Sequence, residues 1–276
     1  MDVFRTDRIR NVVLLGHSGS GKTSLTEAMA YLSGMTNRLG KVTDGNTVSD
    51  FDKEEIKRQF SIHTSVVPIE WDNVKINILD TPGQFDFAAG LYEGISAAES
   101  VVIALPAKDG VQVGTIKAYR EAIKHGKATM FVVTRMEEEN SNFYKCLEEL
   151  KTQFGPSICP IVVPFDKYGT VESYINLLEM KAYTYDNGVP TEVPMPASEN
   201  RLKGLRAAMA EAVAETDEDL MMRYFENEGE DFTEAEIVKG LHDGIHKGYI
   251  TPVVCCSGDT LAGIDMMLNT IIYMLP

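Results

Sequence analysis

The sequence predicts an α/β fold in which helices cover both faces of a mostly parallel sheet, with an inserted α+β subdomain. Three observations lead to this prediction. Apolar runs of strand length alternate with segments of helical period. A loop rich in Gly and Ser joins the first predicted strand to the first predicted helix. After residue 140 the alternation loosens, and residues 165–200 are rich in the Gly, Pro and Asn that are typical of hairpins and loops.

The first half of the chain supplies most of the predicted sheet. Residues 11–15 (NVVLL) have the composition of a buried strand, and residues 23–33 that of a helix ending at Gly34. Residues 61–71 and 74–80 are rich in β-formers and predict a hairpin around the turn pair Asp72-Asn73. The other elements predicted here are strands at 100–106 and 128–134 and a helix at 111–126.

The second half adds helices and a further hairpin. Thr233, followed by Glu236 three residues later, has the pattern of a helix capping box. The predicted elements are helices at 141–154, 202–216, 217–226 and 232–248, strands at 157–165 and 250–256, a hairpin within 183–196 and a terminal helix at 263–275.

Composition restricts the classes of function. The net charge of −15, from 41 acidic and 26 basic residues, argues against a broad nucleic-acid-binding surface and leaves a focused RNA contact open. We expect no DNA partner. Residues 1–10 lack the apolar stretch of a signal peptide and the apolar runs are short, so we expect a cytoplasmic protein without a membrane partner. Reduced core cysteines are expected, because no CxxC spacing occurs among Cys146, Cys159, Cys255 and Cys256.

Residues 16–23 (GHSGSGKT) match the phosphate-binding pattern GxxxxGK[ST] between a strand and a helix. Small residues let main-chain N–H groups approach phosphate oxygens, and the helix N-terminus favours an anion. Lys22 can neutralise the β- and γ-phosphates and Thr23 can ligate Mg²⁺. The sequence therefore predicts a nucleoside triphosphate site, with a flexible Gly/Ser turn as the alternative. The predicted contacts of this loop are Gly16, His17, Ser18, Gly19, Ser20, Gly21, Lys22, Thr23 and Ser24.

A second motif, DTPG at residues 80–83, follows the predicted strand 74–80. Ligands of open α/β sheets bind at the carboxyl ends of the strands, so Asp80 is placed to complete the shell of a metal ion. Taken alone, Asp-Thr-Pro-Gly is also an ordinary turn. Its position one hairpin after the phosphate-binding loop favours the metal-binding interpretation.

Longer stretches carry a family likeness: SDFDKEEIKRQFSIHTS at 49–65, DTPGQFDF at 80–87 and the run from ETDED to CCSG at 215–258. On these the chain resembles a translational GTPase, specifically the N-terminal GTPase domain of elongation factor G, in a divergent paralogue. The resemblance implies a P-loop GTPase core at 1–157 and 251–276, an insertion at 158–250 and further domains in a longer factor. It also implies GTP, GDP and Mg²⁺ as ligands.

The resemblance further implies a role for each motif. The family's catalytic His is replaced by Gln84, which could orient the attacking water as glutamine does in Ras-type proteins. Lys22 would share in catalysis. Ser61 aligns with the metal-binding Thr of the family motif ERGITI, here KRQFSI, so the expected metal ligands are Thr23, Ser61 and Asp80. The expected nucleotide contacts here are Asp80, Thr81, Pro82, Gly83 and Gln84.

Base recognition departs most from the family pattern. The guanine-reading Asn-Lys-x-Asp is replaced by Thr134-Arg135-Met136-Glu137, in which Glu137 keeps the acceptor pair and Arg135 can stack over a base. Ser257 and Gly258 align with the family's Ser-Ala, whose last N–H contacts the guanine oxygen. We expect a weakened guanine preference. An ATP-dependent enzyme is an open alternative.

By the same resemblance we expect the ribosome to activate hydrolysis, with ribosomal RNA and the stalk protein as partners of a monomer. A different class of function also remains open. Gln84 could be a polar residue tolerated in a ribosome-associated switch that binds GTP or GDP without hydrolysing it.

Overall fold

The predicted alternation of strands and helices is present in the computed structural model, which describes residues 3–167, 169–196, 199–227 and 232–276. Residues 168 and 197–198, within the predicted loop region 165–200, lie outside the described residues. The strands are β1 Ile9–Gly16, β2 Ser65–Trp71, β3 Val74–Asp80, β4 Ser100–Pro106, β5 Ala128–Thr134, β6 Ile158–Pro160, β7 Val162–Lys167, β8 Thr170–Asn176, β9 Lys181–Asp186, β10 Val189–Val193 and β11 Thr251–Cys255. The α-helices are α1 Lys22–Leu32, α2 Lys53–Arg58, α3 Ala89–Ala97, α4 Val113–Lys124, α5 Phe143–Phe154, α6 Glu199–Ala214, α7 Glu218–Asn227, α8 Glu234–His246 and α9 Ile264–Met274.

Seven strands form the main sheet in the order β2-β3-β1-β4-β5-β11-β6. Only the pairing of β2 with β3 is antiparallel among the described pairs of this sheet. Every residue of β4 and β5 is buried, as expected of central strands with helices on both faces. The predicted α/β class is therefore confirmed. The predicted hairpin is present as well, with its first strand starting at Ser65 rather than at residue 61.

The parallel register brings the ends of several strands to one edge of the sheet. Leu14, near the end of β1, pairs with Asp80 at the end of β3. Likewise Pro106 pairs with Thr134, which ends β5. The loops that follow these strands therefore begin close together, at the edge where ligands of α/β proteins bind.

The strand predicted at 157–165 was wrong as a single element, because it is two strands in different sheets. β6 pairs with β11 in the main sheet, whereas β7 belongs to an antiparallel sheet of order β10-β9-β8-β7. Ile161 lies between them, donating its N–H to Val253 O and accepting from Leu177 N. The insertion boundary at 158 stays a prediction, and the pairing of β6 supports placing that boundary after Pro160.

The predicted helices of the second half are present, and the Thr233–Glu236 capping box forms at the start of α8. Buried residues of α6 and α8, including Met209, Val213 and Leu241, contribute to the core. The four cysteines are buried and free. Among the described residues, no helix combines the length and apolar character that crossing a bilayer requires.

Helices α2 and α3 were not predicted. The glycines of α3 lower its intrinsic helix propensity, but they allow a close approach to the sheet. A Cβ at Gly94 would lie 2.5 Å from Val13 Cγ2 and 3.0 Å from Thr81 Cγ2. Tertiary packing of α3 against β1 and the loop after β3 thus decides this element.

The substitution Gly94→Ala tests this packing. We expect it to lower the free energy of unfolding by about 1–3 kcal/mol, because the new methyl group overpacks against Val13. Urea denaturation measures the effect. Gly204→Ala is the matched control, since it lies within α6 with open space around its Cβ position, and it should stabilise by up to about 1 kcal/mol. Equal effects of the two substitutions would contradict the packing argument.

Candidate nucleotide-binding site

The loop between β1 and α1 is shaped by its glycines and closed by its lysine. Gly19 and Gly21 have φ of +77° and +87°, which residues with a Cβ rarely adopt. A Cβ at Gly16 would lie 2.4 Å from Ala104 O on β4. Lys22 is 6% exposed, and its Nζ donates to His17 O at 3.0 Å and to Gly16 O at 3.3 Å. The loop therefore curls around the ammonium group.

A cavity of about 440 Å³ opens above this loop. Its size is suited to a nucleotide-sized ligand. Residues expected at the site that line the cavity are Ser18, Gly19, Gly21, Lys22, Thr23, Ser24, Ser61, Gly83, Gln84, Thr134, Arg135, Glu137 and Gly258.

The other expected residues are not among those that line the cavity: Gly16, His17, Ser20, Asp80, Thr81, Pro82 and Ser257. Thr81 Oγ1 donates to Leu14 O at 2.6 Å, which ties the DTPG turn to β1. The hydroxyl of Ser257 accepts from Thr260 N at 3.0 Å. Thr81 and Ser257 thus hold main-chain segments in place, while Asp80 keeps one carboxylate oxygen without a hydrogen-bond partner.

The three expected metal ligands come together around Thr23. Its Oγ1 donates to Asp80 Oδ2 at 2.9 Å and lies 3.2 Å from Ser61 Oγ. Ser61 Oγ in turn donates to Asp50 Oδ1 at 2.6 Å, and Ser49 Oγ donates to Asp80 Oδ2 at 2.8 Å. The start of α1, the end of β3 and the loops on either side of α2 thus meet in a single hydrogen-bonded cluster.

Two carboxylate oxygens of this cluster, Asp80 Oδ1 and Asp50 Oδ2, are buried without a hydrogen-bond partner. Mg²⁺ is held in proteins by one or two carboxylates together with waters and phosphate oxygens. The two free oxygens beside the Thr23 and Ser61 hydroxyls fit that donor set. Within the described ranges no group of three or more His, Cys, Asp or Glu side chains is arranged to hold a metal ion without such help.

Burial controls the ionisation of this cluster. It raises the pKa of Asp80 to about 6, although the Lys22 charge and the hydrogen bonds from Ser49 and Thr23 act in the opposite direction. Burial likewise lowers the pKa of Lys22 to about 8, against the attraction of Asp80 and Asp50. The pKa of Asp50 is raised by burial, and the hydrogen bond from Ser61 opposes that shift. The site thus holds charges that the protein alone stabilises incompletely.

Ser49, Asp50 and residues 40–43 were missed by the sequence analysis, although the last four line the cavity. No spacing rule singles them out, because they reach the site only when residues 38–65 fold back over α1. Gln59, where the family motif has Gly, adopts φ +58° at the end of α2. This left-handed conformation is strained for a residue with a Cβ, and it sets the course of the chain into Ser61.

Among the predicted base-recognition residues, Thr134 ends β5, whereas Gln84 follows β3, and these two strands lie on opposite sides of β1 in the sheet. Thr134 is 2% exposed and its hydroxyl donates to Ser20 O at 2.8 Å, so it braces the phosphate-binding loop. Arg135 lines the cavity and forms an ion pair with Glu138, with Nη1 2.7 Å from Oε1. Glu137 is exposed at the cavity edge. Glu138 and Asp259 also line the cavity and were not predicted.

Gln84 follows the DTPG turn, which packs against Lys22. A Cβ at Gly83 would lie 2.7 Å from Lys22 Nζ, so only Gly permits this approach. Phe85 packs edge-on against His17 at a centroid separation of 5.8 Å. These contacts place the Gln84 side chain at the cavity wall beside the phosphate-binding loop.

Comparison with known proteins also indicates a nucleotide-binding domain. Residues 7–276 match the family model described as the elongation factor Tu GTP binding domain. The chain is also similar to a Thermus thermophilus protein of known crystal structure, with 36% sequence identity and a TM-score of 0.91. That alignment covers 98% of this chain and 40% of the Thermus chain, so this chain spans less than half of its relative's length. The resemblance to translational GTPases is confirmed by the family match.

Measurements of stability over a range of pH, made on the nucleotide-free protein, test the raised pKa of the Asp80 carboxyl. The folded pKa of Asp80, about 6, lies above its ordinary value of 3.8. Its contribution to stability is therefore present below pH 4 and is lost as the pH rises to about 6. We expect Asp80→Asn to remove this part of the pH dependence of the free energy of unfolding, measured in urea. Asp86→Asn, an exposed acid nearby, is the control. If the free energy of unfolding varies with pH in the same way for wild type and Asp80→Asn, the raised pKa does not belong to Asp80.

Proposed function

Since the chain belongs to the family of elongation factor Tu GTP-binding domains, we propose that it binds a guanine nucleotide with Mg²⁺ and hydrolyses GTP on the ribosome. The proposal includes the role of a domain in a longer factor that resembles elongation factor G. The observation that carries it is the continuity of one cavity. Residues of the phosphate-binding loop line this cavity together with Ser61, Gln84, Arg135 and Glu137.

The donor set of the cluster supports the magnesium part of the proposal. Thr23 and Ser61 would offer hydroxyls, while Asp80 and Asp50 would accept hydrogen bonds from metal-bound waters through their unpartnered oxygens. When bound, Mg²⁺ supplies neutralisation of the charge on the β- and γ-phosphates.

The protein's own groups would then act on the triphosphate. Lys22 would exchange its two carbonyl acceptors for phosphate oxygens, and the added negative charge would favour its protonated form. Gln84 carries both a donor and an acceptor, as orientation of an attacking water requires. Catalysis in this superfold consists of positioning and charge stabilisation, and an activating partner can contribute about 10⁵-fold.

The remaining parts of the proposal rest on the family. We place the protein in the cytoplasm as a monomer, with the ribosome as activator through ribosomal RNA and with the stalk protein facing the insertion. The negative net charge fits partners that grip a limited surface of this domain. DNA and membranes have no part in this proposal.

Base preference is tested by calorimetry with GDP and ADP in the presence of Mg²⁺. We expect GDP to bind more tightly, and Glu137→Gln to weaken GDP binding about tenfold or more, because the acceptor pair of the carboxylate is lost. Glu139→Gln, an exposed acid two residues away, is the matched control and should bind as wild type does. Tighter binding of ADP by the wild type would favour the ATP-dependent alternative.

Hydrolysis is tested by multiple-turnover phosphate release with purified ribosomes and the full-length factor. We expect Gln84→Ala to lower turnover about a hundredfold or more, because the attacking water loses its orientation, while the affinity for a non-hydrolysable GTP analogue stays within about twofold. The exposed Gln153→Ala on α5 is the control. A wild-type signal no higher than the nucleotide-free background would favour the binding switch that does not hydrolyse GTP.

A further inference from the structure

Glu27 is a buried acid on α1 whose carboxylate binds another segment of the chain. It lies five residues after Lys22 and is 1% exposed. Its Oε2 accepts from Gly40 N at 2.9 Å, and its Oε1 accepts from Val48 N. One carboxylate thus connects α1 to two main-chain N–H groups that are eight residues apart.

Gly40 and Val48, the two residues that bind Glu27, both adjoin residues of the nucleotide site. Gly40 begins the stretch 40–43 that lines the cavity. Val48 directly precedes Ser49 and Asp50, which bind Asp80 and Ser61. The position of the Glu27 carboxylate therefore determines where both parts of this segment lie relative to the phosphate-binding loop.

The contact between Glu27 and Gly40 depends on the residue type at each end. A Cβ at Gly40 would lie 2.5 Å from Glu27 Oε2 and 2.8 Å from Asn46 O, so a side chain there would separate the loop from α1. The two N–H groups bind different oxygens of the Glu27 carboxylate, and a carboxamide would present an NH₂ donor to one of them. Burial is the main cause of the raised pKa of Asp50, and the charge of Glu27 adds to it. Glu27 therefore lies close enough to act electrostatically on the metal-side cluster, which consists of Thr23, Ser49, Asp50, Ser61 and Asp80.

The loop closed by Glu27 is reinforced from within. Asn46 Oδ1 accepts from Lys41 N at 2.7 Å, and Arg38 donates to Asn46 O at 3.0 Å. Residues 38–48 are therefore linked to each other as well as to α1. A buried polar contact of this kind is expensive to break only halfway, because an unpaired N–H would remain in the interior.

We propose that Glu27 is a positioning residue of the nucleotide site. Through Gly40 and Val48 it holds residues 40–50 against α1, and so sets Ser49 and Asp50 over Asp80. This role rests on the proposed binding of GTP and Mg²⁺. It predicts a selective effect, because GTP with its γ-phosphate would use the metal-side cluster fully, whereas GDP would depend mainly on the phosphate-binding loop.

The experiment compares Glu27→Gln and Gly40→Ala, which break the same contact from opposite sides. Affinities for GDP and for a non-hydrolysable GTP analogue are measured by calorimetry with Mg²⁺. We expect each variant to weaken analogue binding about tenfold or more, and GDP binding by less than about threefold. Amide hydrogen exchange with the analogue bound should become faster in residues 40–50. Glu54→Gln, an exposed acid of the same segment, and Gly204→Ala are the matched controls.

Several results would overturn this role. An equal loss of affinity for both nucleotides would indicate a structural contribution only, and unchanged analogue affinity with unchanged exchange would indicate none. If Glu27→Gln does not fold, Gly40→Ala tests the contact without leaving a buried carboxamide. Wild-type protein that binds neither nucleotide would refute the proposed function, and this role with it, before any variant is compared.

Discussion

The hydrogen bond from Thr23 Oγ1 to Asp80 Oδ2 joins the start of α1 to the end of β3, the two elements on which the site depends. It forms because the parallel register of β1 and β3 brings their ends side by side, with Leu14 opposite Asp80. Ser49 and Ser61 then attach residues 38–65 to the same two side chains. The position of that segment over the cavity thus depends on the pairing of two central strands, which is among the most strongly determined features of the fold.

The electrostatics of the site follow from its burial. A lysine and two acids occupy a space from which water is largely excluded, and the shifts in their pKa values show that burial opposes the charge of each. Lys22 meets only main-chain carbonyls, and one oxygen of each acid has no partner. Such an arrangement is complementary to a ligand that brings phosphate oxygens for the lysine and a cation for the acids. The same features that cost stability in the free protein favour binding.

The departures from the family pattern keep the chemical groups that the scaffold needs. Ser61 retains the hydroxyl that bonds to Asp50 and approaches Thr23. Thr134 has a hydroxyl that donates to Ser20 O in the phosphate-binding loop. Gln59 tolerates a left-handed backbone where Gly would be unstrained. These changes act on fine positioning within the site, and the architecture around them is retained.

The sequence by itself determined the strands of the first half, most helices and the two motifs of the phosphate site, because these depend on local periodicity and on fixed spacings; β8 was not predicted. It could not determine the split of residues 157–165 between two sheets, since both strands are apolar and their partners are distant in sequence. Nor could it assign α3, in which Gly94 packs closely against Val13 and Thr81 and Gly90 against Pro82 and Thr64. Tertiary structure alone brought Ser49 and Asp50 to the predicted ligands Thr23, Ser61 and Asp80, and Gly40 and Val48 to Glu27, because this segment folds back in a way that no local pattern encodes.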